Sequence, residues 1–317
     1  MQTTMIGLIF GLFIFQQTAV DARKPEKNVG PVIVGGFPVT HGDWPHQVWL
    51  GTASSDRFFC GGSLIHEQYV LTAAHCVCED DEFNKRKNTD KCSVTRTYNV
   101  HLGDWSRDND DGTEQVVQSV DVWVHPNDGK NRPDIAILKL ASPVASTQYI
   151  KPIALATADP ALGSTAWATG WGVFQEGGEI LPDVMQQLDF EVRACGNVNS
   201  GTWGQMDEEK YTCVDKYSDA QYKGVCFGDS GGPLVLDLSA VESDTPQWVL
   251  AGVTSHIINA GECNNQGGYG LFTSVPQTRA WIESIVPVAG GGGDGGTGNT
   301  DAPTVKCRGG WKNGCKK

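Results

Sequence analysis

Gly228-Asp229-Ser230-Gly231-Gly232-Pro233 decides how this chain is read, because it sets a hydroxyl nucleophile, backbone amides and a carboxylate within six residues. Taken alone, a Gly-rich turn holding a serine is as readily structural. Two upstream segments change that: Leu71-Thr72-Ala73-Ala74-His75-Cys76 and Asp134-Ile135-Ala136-Ile137-Leu138. A serine hydroxyl is a weak nucleophile at neutral pH and needs a base within hydrogen-bond reach, a part that His75 can fill. Asp134 can hold that imidazole in one tautomer and stabilise the imidazolium that forms. His41, His46, His66 and His101 stand in no such motif and are read as ordinary surface or core residues.

In chain order the three are His75, Asp134 and Ser230, the order of the chymotrypsin triad. On these motifs residues 33–288 resemble the chymotrypsin-like secreted serine proteases of the trypsin and elastase type. Short apolar runs at 69–71, 99–102, 116–124, 135–140, 185–192 and 248–253, separated by turn residues, predict an all-β chain. An amphipathic helix is predicted over 277–286, with Trp281, Ile282 and Ile285 on one side and Pro287 ending it. The resemblance adds two packed six-stranded antiparallel β-barrels ahead of that C-terminal α-helix.

What the resemblance implies is a serine endopeptidase that forms an acyl-enzyme and needs no cofactor for catalysis. His75, Asp134 and Ser230 form its triad, the amides of Gly228 and Ser230 its oxyanion hole, and Ser255 buttresses the aspartate. Ile33-Val34-Gly35-Gly36 matches the mature N-terminus, whose freed amine inserts beside Asp229 once the Val32–Ile33 bond is cut. Such a chain is a zymogen that works as a monomer on protein or peptide substrates and is open to serpin-type or other protease inhibitors. The rival class is a secreted, non-catalytic binding protein on the same scaffold.

The residue six before the nucleophile is Gly224, where a trypsin-like pocket carries Asp. With Val225, Ser255, Ile257 and Gly270 it outlines an uncharged substrate pocket, in which a buried Lys or Arg would lack a counter-charge. Val225 and Ile257 narrow that slot, similar to elastases of the neutrophil type, and small or medium aliphatic residues are expected before the scissile bond. Aromatic, chymotrypsin-like preference is the alternative, since Gly270 leaves room on one wall. His256 stands where the family carries an aromatic residue.

Residues 103–115 have the length of the calcium loop of pancreatic trypsins and elastases. Asp104, Asp111 and Glu114 align with its carboxylate ligands, and Ser106 and Asn109 with its carbonyls, an oxygen cage suited to a structural calcium. A merely solvated acidic loop is the other reading, and Asp104 is one methylene shorter than the usual Glu.

Composition bounds the rest. Residues 1–22 read as a signal peptide, 23–32 as a propeptide and 33–289 as one peptidase domain. Residues 290–305 read as a Gly-rich linker and 306–317 as a basic Cys-containing tail. Residues 33–289 carry 16 Lys and Arg against 33 Asp and Glu, a net of −17, which argues against nucleic acid or an anionic membrane as partner. The ten cysteines behind a signal peptide point to a disulfide framework in the extracellular space. The resemblance implies Cys60–Cys76, Cys195–Cys213 and Cys226–Cys263. Parity and proximity leave Cys78–Cys92 and Cys307–Cys315, while Ala166 and Leu236 occupy the positions of another bridge common in relatives.

Overall fold

A computed structural model of the chain describes residues 36–78, 96–126, 133–173, 181–195, 208–215, 217–218, 221–222, 224–239, 247–258 and 269–287. The leader, propeptide, linker and tail lie outside the described residues, as do Ile33, Cys92, Cys263, Cys307 and Cys315.

The expected pair of barrels is present. In the first, β2 (Gln47–Thr52), β3 (Phe58–His66), β4 (Tyr69–Thr72), β5 (Tyr98–Leu102), β6 (Gln115–Val124) and β7 (Ala136–Leu140) close in the order β2-β3-β4-β7-β6-β5. Closure leaves no sheet edge. Leu50, Leu64, Val70, Val100, Leu102, Leu138 and Leu140 fill it from alternate positions. The one-turn helix α1 (Ala74–Val77) follows β4 directly.

In the second barrel, β9 (Thr165–Gly170), β10 (Gln186–Arg193), β11 (Tyr211–Asp215), β16 (Tyr269–Ser274), β15 (Trp248–Ile258) and β14 (Pro233–Asp237) close in the order β9-β10-β11-β16-β15-β14. Two short strands join its rim: β1 (Phe37–Pro38) beside β10, and β8 (Ala154–Leu155) parallel to β15. A separate hairpin pairs β12 (Tyr217–Ser218) with β13 (Gln221–Tyr222). Strand β10 alternates as a half-buried strand should, with Leu188, Phe190 and Val192 turned to the core. Ala166 and Leu236 both sit in this apolar core, on paired strands whose register brings one toward the other.

Between the barrels lies a third cluster, including Leu71, Ile135, Ile137, Trp171, Val235, Leu250 and Val253. Helix α2 (Val275–Ile285) packs on it through Ile282, fully buried, with Trp281 and Ile285 alongside. The helix starts two residues before the expected position because Ser274 caps it, its Oγ accepting from Gln277 N at 3.2 Å, and because Pro276 fits a first helical turn. Cys60–Cys76 and Cys195–Cys213 are bridged as expected. Cys78 and Cys226 are also disulfide-bonded, to partners outside the described residues. No helix among the described residues is long and apolar enough to cross a membrane.

Candidate active site

Asp134 ends the loop into β7 and is completely buried. Its Oδ1 accepts from the His75 backbone N–H at 2.9 Å, and its Oδ2 accepts from His75 Nδ1 at 2.7 Å and from the Ser255 hydroxyl at 2.6 Å. The Thr273 hydroxyl donates to the Asp134 backbone oxygen at 3.0 Å. Burial alone would raise this carboxyl, but the charge and hydrogen bond of His75, the charge of His256 and the Ser255 hydrogen bond together hold it well below the usual carboxylate range. Asp134 is therefore ionised at neutral pH and must accept, so His75 carries its proton on Nδ1 and leaves Nε2 as the basic nitrogen. Burial pulls the His75 pKa down; the Asp134 charge and hydrogen bond outweigh it, and the net value is raised.

Ser230 sits in a tight turn packed against the first barrel. Gly61 N donates to the Ser230 carbonyl at 2.7 Å, and a Cβ on Gly231 would overlap Thr72 Oγ1 and Gly61 O while touching Ala73 N at 3.1 Å. Gly228 and Gly231 have φ of +100° and +80°, where side chains are strained, so the turn needs both glycines. The turn is thereby set against Thr72 and Ala73, at the end of β4 just ahead of the helix that carries His75. Within it, Asp229 N–H is taken by Cys226 O, Gly231 N–H by Thr254 O and Gly232 N–H by Asp229 O. The amides of Gly228 and Ser230 remain as the two in this turn with no acceptor among the described residues.

The Asp229 side chain turns the other way, into the interior, where Oδ1 accepts from Gly172 N at 2.8 Å and Oδ2 from Cys226 N at 2.9 Å. A Cβ on Gly170 or Gly172 would overlap this carboxyl, so the seat exists only because both are glycine. Burial raises the Asp229 pKa to about 6, against the lowering effect of those two amides; no cation meets it among the described residues.

Gly224, Val225, Ser255 and Gly270 are buried and Ile257 is half-buried. Ile257 lies opposite Gly270 in the β15–β16 register, and Val214 lies opposite Gly270 on the other side. A Cβ on Gly270 would meet Val214 Cγ2 at 3.0 Å, Phe272 at 3.4 Å and Val225 Cγ2 at 3.8 Å. The surroundings of Gly270 are thus apolar and tightly packed. Phe227, next to the Gly228 amide, is 73% exposed. His256 reaches the same carboxylate as His75: its Nδ1 stands 2.5 Å from Ser255 Oγ and 3.8 Å from Asp134 Oδ2. The replaced aromatic at 256 gives no sign of this contact in the sequence. Thr273 has no motif in the sequence either, and the Gly170/Gly172 seat shows only as the recurrence of Gly in Gly170-Trp171-Gly172.

The acidic loop closes on itself and docks on Asp183, which takes Ser106 Oγ at 2.6 Å and Asp108 N at 2.9 Å. Asp111 Oδ2 accepts from Trp105 N and Ser106 N, Glu114 from Asp111 N and Thr113 N, and Asp104 from Trp49 Nε1. Asn109 donates to Ser106 Oγ and Asp183. Burial, joined by the charges of Glu114 and Asp111, pushes the Asp104 carboxyl up to about 7. That excess of negative charge, carried on oxygen donors, is the chemistry a hard cation relieves.

A family model described as Trypsin matches residues 33–282. The chain is 31% identical over 275 residues to chymotrypsin-like elastase family member 1 of Canis lupus familiaris, covering 83% of this chain and 94% of that protein. It is 31% identical over 255 residues to brachyurin of Leptuca pugilator, covering 80% and 97% of the two chains. It is also 31% identical over 273 residues to clotting factor C of Tachypleus tridentatus, covering 81% of this chain and 25% of the longer relative.

Proposed function

This chain belongs to the trypsin family of chymotrypsin-like serine proteases, and from that membership we propose that it is a secreted endopeptidase using Ser230, His75 and Asp134. The observation that carries the reading is the buried Asp134 bonded to His75 Nδ1 at 2.7 Å, with the Ser230 turn packed against Thr72 and Ala73 just ahead of His75. In the reaction Nε2 of His75 takes the Ser230 proton as Oγ attacks the scissile carbonyl, and returns it to the leaving amine. The amides of Gly228 and Ser230 stabilise the oxyanion, each worth about 2.7–4 kcal/mol in comparable sites. Water then hydrolyses the acyl-enzyme by the same proton route. The uncharged pocket of Gly224, Val225, Ile257 and Gly270 favours Val, Ala or Leu before the cleaved bond, as in an elastase.

Activation is by cleavage between Val32 and Ile33. The freed ammonium supplies the cation that the buried Asp229 lacks among the described residues, coupling cleavage to an ordered oxyanion turn. Loop 104–114 holds one structural calcium, with Asp104, Asp111 and Glu114 as its carboxylate ligands and the carbonyls of Ser106 and Asn109 completing the set. The bridges Cys60–Cys76 and Cys195–Cys213 support an oxidising, extracellular location.

The test is a fluorophosphonate probe together with a peptide-library cleavage profile on protein beginning at Ile33. Ser230 is expected to be labelled, and Ser230→Ala to lose about 10⁶ of turnover. Absence of labelling in correctly processed protein would instead support a non-catalytic scaffold.

A further inference from the structure

Asp134 serves two imidazoles. Its Oδ2 lies 2.7 Å from His75 Nδ1 and 3.8 Å from His256 Nδ1, and the two ring centroids stand 5.5 Å apart at 48°. One donor atom from each of the three side chains lies within 4.8 Å of the other two. The His75 and His256 side chains are 26% and 25% exposed, while the carboxylate behind is wholly buried. Two imidazole nitrogens and one carboxylate oxygen make the donor set of a borderline divalent cation such as zinc. The neighbouring group of Cys60, His75 and Cys76 is no competitor, since its sulfurs are locked in a disulfide and offer no thiolate.

We propose that His75, Asp134 and His256 form a reversible zinc site that switches the Ser230 machinery off. Zinc takes ligands at about 2.0–2.2 Å, which sets donor separations of roughly 3.3 Å in a tetrahedral shell. The His75–Asp134 pair must open and the His256–Asp134 pair close, each by roughly half an ångström, and His256 Nδ1 must give up its contact with Ser255 Oγ. When the ion takes the lone pair at Nδ1 of either ring, that ring's proton passes through solvent to Nε2. His75 then holds a proton on the nitrogen that must receive one from Ser230, and its hydrogen bond to Asp134 is gone. Inhibition follows from these two changes and rests on the endopeptidase reading; the binding itself does not. Relatives with an aromatic residue at the position of His256 lack the second imidazole.

The experiment is titration of zinc chloride into calcium-saturated Ser230→Ala protein beginning at Ile33, followed by calorimetry, so that no activity is required. One zinc per chain is expected, with affinity falling at least about tenfold in both Ser230→Ala/His256→Phe and Ser230→Ala/His256→Gln. Near-ultraviolet circular dichroism identifies which of the two variants keeps the native fold. Wild-type peptidase should lose activity over the same zinc range and regain it with chelator. No binding up to about 1 mM zinc, or undiminished affinity in a folded His256 variant, overturns the site whatever the peptidase assay gives. Zinc binding that depends on His256 in a protein whose Ser230 resists fluorophosphonate upholds the site and overturns the peptidase.

Discussion

Ser255 Oγ lies 2.6 Å from Asp134 Oδ2, so a residue of the second barrel completes the hydrogen bonding of a carboxylate rooted in the first. With Asp134 kept ionised, the member of the triad that titrates in the active range is His75, whose pKa is raised. Activity requires the neutral imidazole and therefore grows as pH rises through that pKa. The acid limb of kcat/KM is expected above about 6.5, the ordinary histidine value. In Asp134→Asn the raising charge is gone and burial remains, so the limb should move below that value while kcat falls about 10⁴-fold. An acid limb unmoved by Asp134→Asn would show that His75 is not the group being titrated.

The pocket makes a separate prediction. Ile257 faces Gly270 across the β15–β16 register and is half-buried, so Ile257→Gly removes wall without emptying the core. A change of one methylene in an apolar pocket is worth roughly 10–200-fold in discrimination. Wild type is expected to cleave after Val or Ala in preference to Phe, and Ile257→Gly to shift kcat/KM toward Phe by at least tenfold. Cleavage after Lys or Arg as the main activity of wild type would refute the uncharged pocket.

Calcium at the 104–114 loop should stabilise by mass action. At a hundredfold excess over Kd the gain is about 2.7 kcal/mol, or roughly 5–10 °C in Tm for a domain of this size. Scanning calorimetry with calcium and with chelator measures it, and Asp111→Ala/Glu114→Ala should abolish the difference. Equal Tm values for wild type in the two conditions would leave a solvated acidic loop.

Gly172→Ala places a methyl group into the Asp229 carboxyl. Overpacking of this kind costs about 1–3 kcal/mol, and here it also dislodges the group that receives the new N-terminus. We expect lower stability in urea and a reduced fraction of active sites titrated after Ile33 is exposed. Full site titration in this variant would separate the Asp229 seat from activation.

Sequence patterning reached the barrels unevenly. Strand β10 was legible because Leu188, Phe190 and Val192 alternate with polar residues. Strand β3 was hidden by Gly61 and Gly62, which look like a turn. In fact a Cβ on Gly61 would meet Gly232 at 3.1 Å and one on Gly62 would meet Val48 at 2.9 Å, so close packing rather than chain reversal selects glycine there. Strand β15 runs past the apolar stretch through Thr254, Ser255 and His256, polar because they border the Asp134 site, with a register shift between Thr254 and His256. The triad motifs are contiguous and could be read directly. Contacts such as Thr273 to Asp134, 139 residues apart, depend on the closure of two barrels and leave no local trace.

Asp134 stands on the first barrel, yet the hydroxyls of Ser255 and Thr273 that meet it come from the second. Were the barrels to part, an anion would be left with fewer donors while the apolar cluster between them, Leu71, Ile135 and Ile137 against Val235, Leu250 and Val253, became wet. Neither barrel therefore has a low-energy state of its own near the native one. The two should melt together, as a single calorimetric transition whose van't Hoff and measured enthalpies agree.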